Sequence, residues 1–170
     1  MSRSPLALKL DPIAEAQRQW TEHGWASAAQ GMAAVTSVMR AHQLMSARVD
    51  AVLRPMALTF ARYELLMLLQ FSRAGALPIT KASARLQVHP TSVTNAVDRL
   101  EAAGLVRRRP HATDGRTTLV EITARGRRQA MAATQRLNDE VFTRPGLSPG
   151  RAATLVSVLT ELRRAAGDFV

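Results

Sequence analysis

The stretch His89-Pro90-Thr91-Ser92-Val93-Thr94-Asn95-Ala96-Val97-Asp98-Arg99-Leu100-Glu101-Ala102-Ala103-Gly104-Leu105-Val106-Arg107-Arg108 decides the fold. Proline has φ fixed near the helical value and lacks the N–H that a first helical residue cannot use, so Pro90 marks a helix start. Val93, Ala96, Val97 and Leu100 follow at three- and four-residue steps and make one apolar arc. Thr91, Ser92, Asn95, Asp98 and Arg99 point away from it. Gly104 takes the left-handed backbone that ends a helix. The spacing predicts an amphipathic helix from Pro90 to Ala103.

Upstream, a brief helix around Lys81 to Leu86 and the turn Gln87-Val88-His89 complete a helix-turn-helix outline. Downstream the period changes. Leu105 to Arg109 and Arg116 to Thr123 are β-rich and enclose Pro110-His111-Ala112-Thr113-Asp114-Gly115. Thr118, Val120 and Ile122 share one face, Leu119 and Glu121 the other, and Asp-Gly is a turn signal, so a β-hairpin is expected.

Further out the pattern is helical. Ala61 to Ser72 is apolar on nearly every side, as in a helix buried among others, and Gly75 and Pro78 close it. Asp11-Pro12 opens a short helix from about Ile13 to His23. Met32, Val35, Met39, His42, Met45, Val49 and Val52 mark a long amphipathic helix ending before Pro55. Two more helices, about Ala124 to Phe142 and Pro149 to Ala166, follow, the last with Ser148 as its expected cap. The fold class is mainly α with a small β-hairpin, in one domain of 170 residues.

Composition narrows the function. The chain is 46% hydrophobic but only 4% aromatic, enough for a core and biased toward helix. No apolar run approaches the ~18 residues of a membrane span, and Met1-Ser2-Arg3-Ser4-Pro5 lacks the layout of a secretory signal, so a cytoplasmic protein is expected. The absence of cysteine excludes disulfides and thiolate metal sites. A net charge of +10 and a pI near 11.6 favour a polyanionic partner. Between Lys81 and Arg128 there are ten basic and four acidic residues, so more than half of the excess lies around one motif.

Short hydroxyl and amide side chains at a helix N-terminus suit the major groove of DNA, where asparagine pairs bidentately with adenine. The same Thr and Ser residues also serve as caps. An arginine at a hairpin tip can enter a narrow minor groove. For an enzyme, the chain shows neither a metal cluster nor a phosphate-binding glycine loop nor a nucleophile elbow. His111, Asp114 and Ser148 would form a triad only across a hairpin and a remote helix cap. No cofactor is called for. An alternative is a winged helix used for protein contacts, which a weak salt dependence of duplex binding would reveal.

The run His89 to Arg108, with Thr113-Asp114-Gly115-Arg116 and Ile122-Thr123-Ala124-Arg125-Gly126, resembles the signature of the MarR family of transcriptional regulators, closely over about residues 56 to 128. The resemblance implies a winged-helix lobe at 56–123 and dimerisation helices at 11–54 and 124–166 that interleave in a homodimer. It implies that Ser92 and Asn95 lead base contacts, that Pro90, Thr91, Thr94 and Arg99 complete the DNA-facing set, and that Arg116, braced by Asp114, is the minor-groove finger. The expected partner is a pseudo-palindromic operator, and the expected role is repression released by a small effector such as an aromatic acid. Effector contacts are sought at Trp20, Trp25, His42, Arg62, Tyr63 and Glu64, although Trp20 and His42 equally suit packing. The N-terminal helix bearing Trp20 is similar to the urate-responsive branch, which has aspartate in place of Glu64 and arginine in place of Ala96.

Overall fold

In the computed structural model of the chain, which describes residues 8–111 and 117–169, the apolar spacing and helix stops become seven α-helices and one three-stranded sheet. The chain divides between Arg48 and Val49 into two compact units.

The first unit opens with α1 (Pro12–Glu22), whose N-cap Asp11 accepts a 2.9 Å hydrogen bond from the Ile13 N–H. Arg18 on this helix pairs with both Glu15 and Glu22. After Gly24, at φ +86°, begins α2 (Ala26–Leu53), which crosses into the second unit. Its Val35, Val38, Met39, Leu44 and Met45 are exposed, with Val35 and Met39 each at 61%.

In the second unit, Pro55 turns the chain through a 3₁₀ segment, Arg54–Met56, into α3 (Phe60–Phe71). Thr59 caps α3 at the Arg62 N–H. Next come β1 (Ala76–Pro78), α4 (Ile79–Leu86), α5 (Pro90–Ala102), β2 (Val106–Pro110) and β3 (Thr118–Ile122). The remaining helices are α6 (Ala124–Leu137), a π-helical turn at Asn138–Phe142, and α7 (Pro149–Ala165). The sheet is antiparallel in the order β1-β3-β2, with Val106 opposite Ile122 and Ala76 opposite Glu121. One core joins Leu53 of α2, Leu65, Leu66 and Leu69 of α3, Val93, Val97 and Leu100 of α5, Val120 of β3 and Leu137 of α6.

Four details depart from the sequence expectations. β1 is an additional strand: three residues are too few for a readable alternation, and Pro78 is tolerated because its strand lies at the sheet edge. α3 is not buried all round, since Glu64 and Phe60 are exposed and Phe71 is 78% exposed. Ser148 stands at the N-cap of α7 without a side-chain cap bond. The last turn expected of α6 is π-helical. No helix among the described residues is long and apolar enough to cross a membrane.

The elements of the second unit meet at Thr123 and Gly126. The Thr123 N–H donates to the Leu105 carbonyl, its hydroxyl lies 2.8 Å from the Gly104 carbonyl, and it accepts the Gly126 N–H at 3.0 Å. α6 therefore starts directly beneath the beginning of β2. A Cβ on Gly126 would lie 2.0 Å from the Leu105 carbonyl oxygen and 2.9 Å from Cγ1 of Ile122. Backbone cannot give way as a flexible side chain can, so Gly126→Ala is expected to destabilise the fold by about 3 kcal/mol, the upper end of the overpacking range. Urea unfolding checks this: an unchanged midpoint would mean that α6 shifts without cost.

Candidate nucleic-acid interface

α4, its following turn and α5 form a helix-turn-helix whose corner is held from inside. Gln87 ends α4 in the left-handed region at φ +54°, and the buried Ser83 hydroxyl donates to the Val88 carbonyl at 2.6 Å. His89 then acts as the N-cap of α5, its Nδ1 accepting from the Thr91 N–H and lying 3.1 Å from the Thr91 hydroxyl. Pro90 occupies the first turn, as expected from its fixed φ. The Thr94 hydroxyl donates back to the Pro90 carbonyl at 3.1 Å.

These local bonds sort the residues expected at the interface. Val93, Val97 and Leu100 are buried and Ala96 half-buried, while Thr91, Ser92, Thr94, Asn95 and Arg99 are exposed. Thr91 and Thr94 are partly committed to the cap and the first turn. The side chains of Ser92, Asn95 and Arg99 make no hydrogen bond or ion pair within the described residues. Their three- and four-residue spacing places them on one face of α5. Asp114 and Arg116 lie outside the described residues.

The three consecutive arginines of β2 divide by strand alternation. Arg107 and Arg109 both reach Glu121 on β3, at 3.0 and 3.2 Å. The Arg107 hydrogen bond, helped by the charges of Arg107 and Arg109, holds the Glu121 carboxyl below its ordinary pKa. Arg108 faces α5 instead and pairs with Asp98 and Glu101, while its backbone N–H donates to Glu101 at 2.7 Å. All three arginines count toward the basic excess around the motif, but Arg108 is a strut between hairpin and helix. The signal for it was present: strand alternation separates Arg108 from its neighbours, and a three-residue step puts Asp98 and Glu101 on one helical face. Lys81, Arg85, Arg125 and Arg128 remain exposed and without ion pairs among the described residues.

The effector candidates separate. In the first unit, Trp20 packs edge-on against Trp25 with centroids 5.3 Å apart, and His42 is exposed on α2. In the second unit, Tyr63 and Glu64 line an open groove of about 400 Å³ between α3 and α6, with Phe60, Met67, Phe71 and Phe142. The Tyr63 hydroxyl is 3.0 Å from that of Thr134. Arg62 is not in this groove. Its guanidinium donates to the Ala57 carbonyl and the Thr59 hydroxyl beside a different cavity, with Asp50 and Arg54.

A MarR family model matches residues 58–117. Among solved structures, Sco5413 from Streptomyces coelicolor, described as a MarR family transcriptional regulator, is 48% identical with a TM-score of 0.75, the match covering 82% of this chain and 97% of that one. A point mutant of MarR from E. coli, solved with operator DNA, is 22% identical over 75% of this chain and 91% of its own, at a TM-score of 0.68. BpsR from Bordetella bronchiseptica, in work on regulation of its DNA binding by 6-hydroxynicotinic acid, has the same identity and TM-score over 75% of this chain and 90% of its own. The last two likenesses concern the fold. Among curated proteins, none matches significantly.

The strut of Arg108 makes stability depend on pH. The Arg108 N–H, followed by its guanidinium, holds the Glu101 carboxyl below the ordinary value of 4.5. A carboxylate depressed in the folded state adds stability that is complete above its unfolded value and is lost as pH falls through the folded one. Glu101→Gln should therefore be less stable than wild type at neutral pH, with the gap narrowing as the pH falls below 4.5 and through the lowered folded value. Paired urea titrations check this, and a gap independent of pH would assign the strut to hydrogen bonding alone.

Proposed function

Because the chain belongs to the MarR family of transcriptional regulators, we propose that it acts as a homodimeric repressor which reads a pseudo-palindromic operator with α5 and is released by a small ligand. The observation that carries this reading is the row of Ser92, Asn95 and Arg99, exposed on one helical face and left without internal partners among the described residues. Polar groups presented in this way exchange water for base edges or phosphates at little internal cost. Thr91 and Thr94, restrained by the cap, complete the surface with Pro90. Lys81, Arg85, Arg125 and Arg128 add phosphate-directed charge that gives affinity and salt dependence without sequence preference.

The dimer is proposed from exposed apolar side chains. On α7 no residue is buried, and Val156, Val158 and Leu162 are 64%, 56% and 58% exposed. α2 presents Val35, Val38 and Met39 in the same condition. Helices with this much exposed aliphatic surface gain from burial against a second copy, at about 25 cal/mol per Å². Residues 11–54 and 124–166 are accordingly proposed as dimerisation helices, and 56–123 as the DNA-binding lobe. The groove of Tyr63 and Glu64 is the proposed effector site.

Footprinting on DNA flanking the protein's own gene tests the reading directly, with protection expected over two half-sites about 10 base pairs apart. Asn95→Ala and Ser92→Ala are each expected to cost about 1–3 kcal/mol on that site and to leave weak binding to random duplex nearly unchanged. Equal losses on both DNAs would move these residues to phosphate contact. Arg116→Ala, at the proposed minor-groove finger, should weaken operator binding at least about tenfold and lower the salt slope by about one ion. For the dimer, Leu162→Glu is expected to shift sedimentation toward the monomer and to abolish operator binding; a monomeric wild type with full operator affinity would overturn this part.

A further inference from the structure

We propose that the groove between α3 and α6 binds an arylalkyl ammonium cation rather than an aromatic acid, with the Glu64 carboxylate receiving the ammonium group. The proposal rests on the reading of this groove as the effector site and assigns its ligand class.

The lining determines the chemistry. Phe60 and Tyr63 stack with centroids 6.1 Å apart and planes at 26°, and Phe71 and Phe142 offer two more rings. Met67 supplies a deformable wall. None of the lining residues is basic. Two of the polar groups satisfy each other: the Tyr63 and Thr134 hydroxyls are 3.0 Å apart, and Thr134 also bonds the Ala130 carbonyl. Glu64 differs from them. Its carboxyl makes no hydrogen bond or ion pair among the described residues, and the arginine two positions away is tied to Thr59 and Ala57. Although the side chain reaches solvent, desolvation by its neighbours raises its pKa with nothing opposing the shift. An ammonium placed there would remove that cost, and the surrounding ring faces attract a cation further.

An acid meets the reverse situation. Its carboxylate would stand beside Glu64 with no arginine or lysine in the lining to receive it. The chain's overall positive charge favours anions at long range, but that field decays over about 8 Å at physiological salt, so the charge within the groove decides. A volume of about 400 Å³ lies within the range of small-molecule sites.

The position of Glu64 also suggests how such a ligand is read. Glu64 and Leu86 line a second, smaller cavity of about 50 Å³ as well, whose other walls include Ser92, Val93 and Ala96 of α5. Glu64 therefore stands where the groove meets the inner side of the helix proposed to read DNA. Drawing Glu64 toward an ammonium alters what lies beneath Ser92.

The test uses 2-naphthylmethylamine and 2-naphthoate, which share one apolar body and differ in charge. Calorimetry on the full-length protein without DNA is expected to show the amine binding at least about tenfold tighter than the acid. Glu64→Gln should remove most of that preference, and Glu64→Asp, which keeps the charge, should retain part of it. Equal or tighter binding of 2-naphthoate, an amine affinity indifferent to Glu64→Gln, or no binding of either probe, as when a second copy covers the groove, would each overturn the proposal. Operator affinity with and without the amine is measured separately. Glu64-dependent binding with unaltered operator affinity would support the ligand assignment and overturn the release reading instead.

Discussion

Most of the second unit hangs on the contact between the Leu105 carbonyl and the start of α6. Thr123 binds the carbonyls that end α5 and begin β2, and its hydroxyl accepts the N–H of Gly126. Its neighbour Ile122 pairs with Val106 and also donates to the Gly75 carbonyl beside β1. One helix end, all three strands and one helix start thus converge within a few residues. The space is so small that position 126 admits only a hydrogen in place of a side chain. Elsewhere the core consists of interchangeable aliphatic contacts, whereas here backbone meets backbone and there is no alternative packing to fall back on.

What the sequence revealed and what it hid follow from the range of the forces involved. The α5 helix was legible because its signals are local: Pro90 at the start, Gly104 at the end, and Val93, Val97 and Leu100 repeating between them. The β2–β3 hairpin was legible for the same reason. β1 was not, because its three residues become a strand only through Leu119, Val120 and Glu121, more than forty positions later. Within the candidate interface, the outward direction of Ser92, Asn95 and Arg99 could be read from helical period, but the partial commitment of Thr91 to His89 required coordinates. Arg62 and Glu64 illustrate the other limit: two residues apart in sequence, they serve different cavities, since neighbours at that spacing on a helix point well apart.

Charge is distributed in two layers. Arg107, Arg108, Arg109 and Arg18 are matched with carboxylates, and pairs of this kind at a surface add little to stability while fixing geometry. The exposed cations without ion pairs among the described residues, Lys81, Arg85 and Arg99 included, create the outward field. A high net charge is thus compatible with an ordered surface, because the three arginines in the middle of the basic stretch are matched by Glu121, Asp98 and Glu101.

The link from Arg108 to Asp98 and Glu101 has a mechanical consequence. It joins the hairpin to α5 across a short lever, while Val97 and Leu100 hold the other side of the same helix in the core. The strut therefore couples the hairpin to the helix, so that a tilt of one is passed to the other. In the proposed two-fold assembly, a signal that tilts α5 would carry the hairpin with it, changing the separation and pitch of two coupled heads.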